Sequence, residues 1–175
     1  MIENTQLIYQ GRVIRLNLER VRLPNASVAD LEIIHHPGGA AILAMDATQR
    51  VCLLYQYRHA ANGWVWELPA GKIDNHEPHL HTAQRELQEE AGCSANHWQY
   101  LGHCISSPGV FTEVVHLYLA TELSSVASQP EAHEVFHLEW RPLSEVMTMI
   151  HQGEIVDGKT LAAILKAQRY LQHKR

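Results

Sequence analysis

The stretch from Trp66 to Cys93, WELPAGKIDNHEPHLHTAQRELQEEAGC, decides how the rest of the chain is read. It passes from an apolar, strand-like run through a Pro-Ala-Gly turn into a segment with helical period. From Pro78 onward Leu80, Ala83, Leu87 and Ala91 recur at intervals of three and four, the buried stripe of an amphipathic helix, and Gly92 stops it. Glu86, Glu89 and Glu90 then converge on one side of the helix's C-terminal half. The placement is unfavourable. Like charges at this spacing repel, and carboxylates near a helix C-terminus oppose its dipole, each by about a few tenths of a kcal/mol. Arg85 can reach Glu89 and offset part of this, which makes a salt-bridged, solvated face one reading. The other is a divalent cation, because clustered hard oxygen ligands suit Mg²⁺ or Mn²⁺, ions that also bind substrate phosphates.

The wider pattern favours the cation. Gly71, Glu77 and the run Arg85-Glu86-Leu87-Gln88-Glu89-Glu90-Ala91-Gly92, with Cys93 in a slot for an aliphatic residue, resemble the Nudix box at every defined position. That resemblance implies an α/β fold, an α/β/α sandwich with a mixed sheet in which the box forms loop, helix and loop. It also implies hydrolysis of a nucleoside diphosphate linked to another moiety. The approach Glu67-Leu68-Pro69-Ala70-Gly71 is similar to that of the ADP-ribose pyrophosphatase branch, and so is Pro108, sixteen residues past Gly92.

Site roles follow from the same resemblance. It implies that the backbone carbonyl of Ala70 and the carboxylates of Glu86 and Glu90 hold Mg²⁺, with Mn²⁺ the alternative, and that Glu89 is a further ligand or a support beside Arg85. Arg58, closing the Tyr55-Gln56-Tyr57-Arg58 run, is expected to hold substrate, and Glu67 to contact either the substrate or Arg58. It also implies that Pro108 and Glu113, in the run SPGVFTE, are substrate-binding, with Glu113 at the site's rim. A glutamate from the polar segment Glu122 to Val135 is expected as catalytic base; Glu134 suits the register best, and Glu131 is the reserve. ADP-ribose leads as substrate. GDP-mannose or another nucleotide sugar uses the same box, and a Nudix-fold module that binds such a sugar without cleaving it is the third reading.

Composition agrees with a small enzyme. A chain of 175 residues, 46% of them apolar, can build one domain with a real core plus an extension. The formal charge of −5 and the lack of a basic run argue against nucleic acid, and an acidic protein that binds phosphates calls for metal. No stretch reaches 18 consecutive apolar residues, and MIENTQLIYQ lacks the regions of a signal peptide, so a soluble cytoplasmic protein is expected, with no membrane partner. Cys52, Cys93 and Cys104 show no CxxC spacing and read as buried thiols rather than a disulfide framework or zinc site. His35, His36, His76, His79 and His81 read as surface histidines, a transition-metal cluster being the weaker alternative.

Elsewhere the pattern sets expectations for the fold. Residues Gln6 to Leu18, Glu19 to Leu23 and, after the Pro24–Ser27 turn, Val28 to His35 read as a three-stranded antiparallel unit, giving an N-terminal extension over 1–37 and a Nudix domain over 38–175. So small a sheet is marginal alone; the family resemblance implies that it builds a homodimer. Ala40 to Met45 and Val51 to Tyr57 read as a hairpin-like pair at the sheet centre. Trp98 to Ile105, Val114 to Thr121 and Phe136 to Trp140 read as further strands. Trp64 and Trp66 read as core, with stacking on a base as the alternative. Two helices close the chain, one ending near His151 and one over Asp157 to His173, with Ser144 and Asp157 as N-caps and Leu161, Ile164, Leu165 and Leu171 as the second helix's buried face.

Overall fold

The computed structural model describes residues 1–74, 76–129 and 134–173. Its centre is strand β4 (Gly39–Ala44), whose six positions are all buried. A strand covered on both faces reads as a continuous apolar run, which is why GAAILA shows no alternation. In β4 the residues Ala41 and Leu43 join one core cluster, while Ala40, Ile42 and Ala44 join another. The period of two thus feeds both faces of one sheet.

That sheet has the order β7-β4-β9-β8, built from β7 (Ala70–Lys72), β8 (Cys93–Ile105) and β9 (Val114–Ser125). Strands β4 and β9 run parallel and the other pairs antiparallel, so the sheet is mixed. Helix α1 (His79–Ala91) covers one face through Ala83 and Leu87, and α2 (Leu143–His151) with α3 (Gly158–His173) cover the other through Val146, Met149, Ala163, Ile164 and Ala167. The expected α/β/α sandwich is present. A second sheet, β10-β5-β6, is formed by β5 (Arg50–Arg58), β6 (Gly63–Glu67) and β10 (Phe136–Pro142).

The N-terminal sheet is β1 (Ile2–Gln10), β2 (Arg15–Arg22) and β3 (Val28–His35), in that order. It is tied to the main body where Ile34 N–H donates to Val110 O at 2.8 Å and Thr112 N–H donates to Ile34 O at 2.9 Å. Val13, in the β1–β2 turn, reaches the cavity described below.

Several expectations need correction. The first strand break falls at Gly11–Ile14, where Gly11 N–H bonds Ile14 O, rather than between Leu18 and Glu19. Strands β4 and β5 do not form a hairpin: beyond one bridge between Met45 and Val51 they belong to different sheets, because β4 takes a parallel partner far downstream. Strand β9 runs on to Ser125, into the segment read as loop. Helix α2 starts after Pro142 without a side-chain cap, and Ser144 lies inside it, its carbonyl accepting from the Thr148 hydroxyl. Leu165 is exposed, and Ala163, Ile164 and Ala167 carry the buried stripe of α3 instead. Cys52 is buried, but Cys93 and Cys104 are only half-buried; all three are free thiols. Trp66 packs against the core, whereas Trp64 is exposed and stacks on Tyr55 and His137.

Candidate active site

Helix α1 carries the box carboxylates into the body of the protein. Gly92 takes a left-handed conformation, φ 60°, and its N–H caps the helix at Gln88 O, so the chain turns away directly after the cluster. Glu86 is 7% exposed and Glu90 2%. Glu90 Oε2 accepts from Ala70 N–H at 2.8 Å, whereas its Oε1 has no hydrogen-bond partner among the described residues. A buried carboxylate oxygen left bare costs on the order of 1–3 kcal/mol or more.

Arg85 organises the neighbours. Its guanidinium donates to Glu86 (2.7 Å), Glu89 (3.0 Å), Glu77 (2.9 Å) and the carbonyl of Lys72 (3.2 Å). Burial works against its charge, but these carboxylates hold its pKa well above the ordinary value. Gly71 explains how Glu86 fits: a Cβ there would stand 1.8 Å from Glu86 Oε1. The box's first glycine leaves the space that the Glu86 carboxylate occupies.

The charges remain unbalanced. Burial pushes Glu86 up to about 7, Arg85 opposing and Glu89 and Glu134 adding to the rise. Burial likewise pushes Glu90 up to about 9 against the Ala70 hydrogen bond, with Glu86 and Glu134 adding repulsion. A positive charge placed beside such a set favours its charged forms. An orphaned oxygen, two carboxylates disfavoured as anions and the nearby Ala70 carbonyl fit a hard divalent ion. Among the described residues no three His, Cys, Asp or Glu side chains form a ready cage, since Glu86 and Glu89 are turned to Arg85 and a carbonyl supplies part of the set.

A cavity of about 690 Å³ opens beside this cluster. Ala70, Gly71, Glu86 and Glu134 line it, and so do Arg58, Lys72 and Lys159. Arg58 grips Glu67 bidentately at 2.8 and 2.9 Å, and Lys159 Nζ lies 2.6 Å from Glu67 Oε2. Both oxygens of Glu67 are therefore paired with cations. Burial opposes its charge, but the two cations more than compensate and hold its pKa below the ordinary value. Glu113 lines the cavity near Ser106, whose hydroxyl it accepts, and near His36, 3.4 Å away. Burial lowers the His36 pKa.

Of the residues singled out from sequence, Arg58, Ala70, Glu86, Glu113 and Glu134 meet at the cavity, and Glu67, Arg85, Glu89 and Glu90 lie directly behind them. Pro108 is exposed and is not among the lining residues. Glu131 lies outside the described residues. The sequence reading leaves out Lys159 and Lys72, and His36, expected at the surface, is instead largely buried on the cavity wall. Lys159 left a signal: a cation in the first turn of a helix opposes the dipole, as the box glutamates do at the other end of α1.

The NUDIX domain family matches residues 35–164. The chain belongs to the Nudix family. Its relatives include an ADP-ribose pyrophosphatase of Mycobacterium tuberculosis, 38% identical over 93% of this chain and 80% of that protein. Another is the methanol dehydrogenase activator of Bacillus methanolicus, 35% identical over 97% of this chain and 94% of that protein. Among solved structures, an ADP compounds hydrolase superposes with a TM-score of 0.85 at 18% identity, covering 99% of this chain and 95% of that one, a likeness of fold. Among the described residues of this Nudix protein, no helix is long and apolar enough to cross a membrane.

Proposed function

We propose that this Nudix protein hydrolyses the pyrophosphate bond of a nucleoside diphosphate sugar, with ADP-ribose giving AMP and ribose 5-phosphate as the leading substrate. One observation carries the reading: a single cavity is lined both by the carboxylates Glu86 and Glu134, backed by Glu90, and by the cations Arg58 and Lys159. The carboxylates call for a cation and the basic side chains suit anionic phosphate oxygens. The name of the Mycobacterium tuberculosis relative supports ADP-ribose over other sugars.

Ala70 O, Glu86 and Glu90, with Glu89 in support, would hold Mg²⁺ or Mn²⁺, which when bound neutralises phosphate charge and lowers the pKa of water. Arg85 keeps Glu77, Glu86 and Glu89 in register. Arg58, held by buried Glu67, presents its remaining guanidinium N–H to substrate. Glu134, on the cavity wall, takes the proton from the attacking water. Glu113 completes the rim.

The N-terminal unit, 1–37, is read as the dimerisation extension of a 38–175 catalytic domain. Strand β1 supports this: every residue from Ile2 to Gln10 is exposed, Leu7, Ile8 and Tyr9 included, so a second copy can cover it. The three free thiols suit a reducing compartment and support a cytoplasmic location.

The test is release of AMP or GMP from ADP-ribose, ADP-glucose, GDP-mannose and NADH, with Mg²⁺ or with EDTA. Fast, EDTA-sensitive cleavage of ADP-ribose is expected. Preference for GDP-mannose would change the substrate, and no cleavage of any would leave a binding module. Light scattering of the full chain and of a chain lacking residues 1–10 tests the dimer.

A further inference from the structure

The peptide leading into Ala70 is pinned from three directions. Pro69 O accepts from Ile42 N–H of β4 at 2.8 Å, and Ala70 N–H donates to Glu90 at 2.8 Å. The third restraint comes from across the molecule: Leu68 N–H donates to Thr160 Oγ1 at 3.0 Å, over a separation of 92 residues. Thr160 is wholly buried, and Leu68 is 1% exposed. The Thr160 hydroxyl in turn donates to Asp157 Oδ2 at 2.6 Å, and the same oxygen accepts Thr160 N–H at 3.1 Å. With its proton committed to Asp157, the hydroxyl can offer Leu68 only a lone pair. A helix cap needs just the bond from N–H to Asp157. The second bond, from a buried backbone donor in the Glu67–Ala70 approach, is extra to capping α3.

We propose that Thr160 is a positioning residue for the metal-binding carbonyl of Ala70, acting through Leu68. The inference rests on the reading of Ala70, Glu86 and Glu90 as cation ligands. Backbone carbonyls cannot adjust by rotamer, so the direction of Ala70 O is set by the peptides that precede it. Restraining Leu68 N–H fixes one end of that short segment while β4 and Glu90 fix the other. Outer groups that orient a ligand typically change metal affinity by about 10- to 100-fold when removed.

The experiment is Mn²⁺ binding alone, followed by loss of the free-ion electron paramagnetic resonance signal, on the substrate-free full chain. Thr160→Val keeps the shape and deletes the hydroxyl; Thr160→Ala deletes it without the branched side chain, should the valine variant fail to fold. Both are expected to weaken Mn²⁺ binding about tenfold, whereas Thr160→Ser stays within about threefold of the parent chain. Asp46→Ala is the control, since Asp46 bonds Thr48 and Arg50 in a turn outside the cavity lining and its loss weakens the fold without touching the site. It is expected to bind Mn²⁺ like the parent. Parent-like binding by folded Thr160→Val or Thr160→Ala, or an equal loss in the Asp46→Ala control, overturns the inference. A parent chain that binds no Mn²⁺ overturns the cation reading itself.

Discussion

Gly71→Ala isolates the geometry of the cluster from its charge. An added Cβ would lie 1.8 Å from Glu86 Oε1 and 2.0 Å from its Cδ, where ordinary contact begins at 3.4 Å. The carboxylate must therefore retreat by about 1.5 Å. Only the far end of one side chain has to move, so the fold should lose little, on the order of 1 kcal/mol. Yet the displaced group is the cavity-lining carboxylate, and its 2.7 Å pair with Arg85 must break or shift. A misplacement of about 1 Å in a reacting array can cost about 100-fold, so turnover of the proposed substrate, ADP-ribose, should fall by about that factor with unfolding nearly unchanged. Steady-state kinetics beside thermal unfolding checks this. Parent-like turnover, or inactivity accompanied by collapse of the thermal transition, would refute the claim that Gly71 serves Glu86 rather than the fold.

Three further outcomes are expected. In EDTA, folded Glu90 holds its proton up to about 9 while an unfolded glutamate releases it near 4.5, so the native state binds more protons between those values and stability should fall as pH rises through the window; Glu90→Gln should flatten that slope in a pH series of thermal unfolding. Glu67→Ala strips Arg58 and Lys159 of their shared carboxylate and should destabilise by about 3 kcal/mol in urea unfolding, raising KM for substrate as Arg58 is released. Asp46 is held down to about 2 because the bonds from Arg50 and Thr48 outweigh its burial; its contribution is full above 3.8 and lost as pH falls toward 2, and Asp46→Ala should abolish that part of the acid transition.

What the sequence made legible was local or repetitive. The stripe Leu80, Ala83, Leu87 and the stop at Gly92 lie within a few turns of one helix, and the structure places α1 accordingly. Asp157 was readable as a cap for the same reason, and it bonds Thr160 N–H. The readings that failed depend on partners remote in sequence. Nothing in GAAILA says that its parallel neighbour is β9, so the local pattern alone pairs it with the next apolar run as a hairpin. Leu165 obeys the helical spacing but points away from a face already filled by Ala163, Ile164 and Ala167. Lys159 bonds a glutamate 92 residues earlier, a contact no local period encodes.

The site is built from placements that each helix alone would reject. Glu86, Glu89 and Glu90 crowd the C-terminal half of α1, where the dipole opposes them, and Lys159 enters the first turn of α3, where the dipole opposes a cation. Each misplacement is answered by opposite charge: Arg85, on α1 itself, bridges Glu86 and Glu89, and from β6 Glu67 holds Lys159 together with Arg58. The answers are unequal. Both oxygens of Glu67 are paired with cations and it stays charged, whereas among the described residues Glu90 keeps a bare buried oxygen and resists ionisation. A fold selected only for stability would pair both or replace both, since an uncompensated buried carboxylate is more costly than an apolar residue of the same shape. The compensated half is thus a structural anchor that presents Arg58 to the cavity, and the uncompensated half is where a cation from outside the chain has the most to gain.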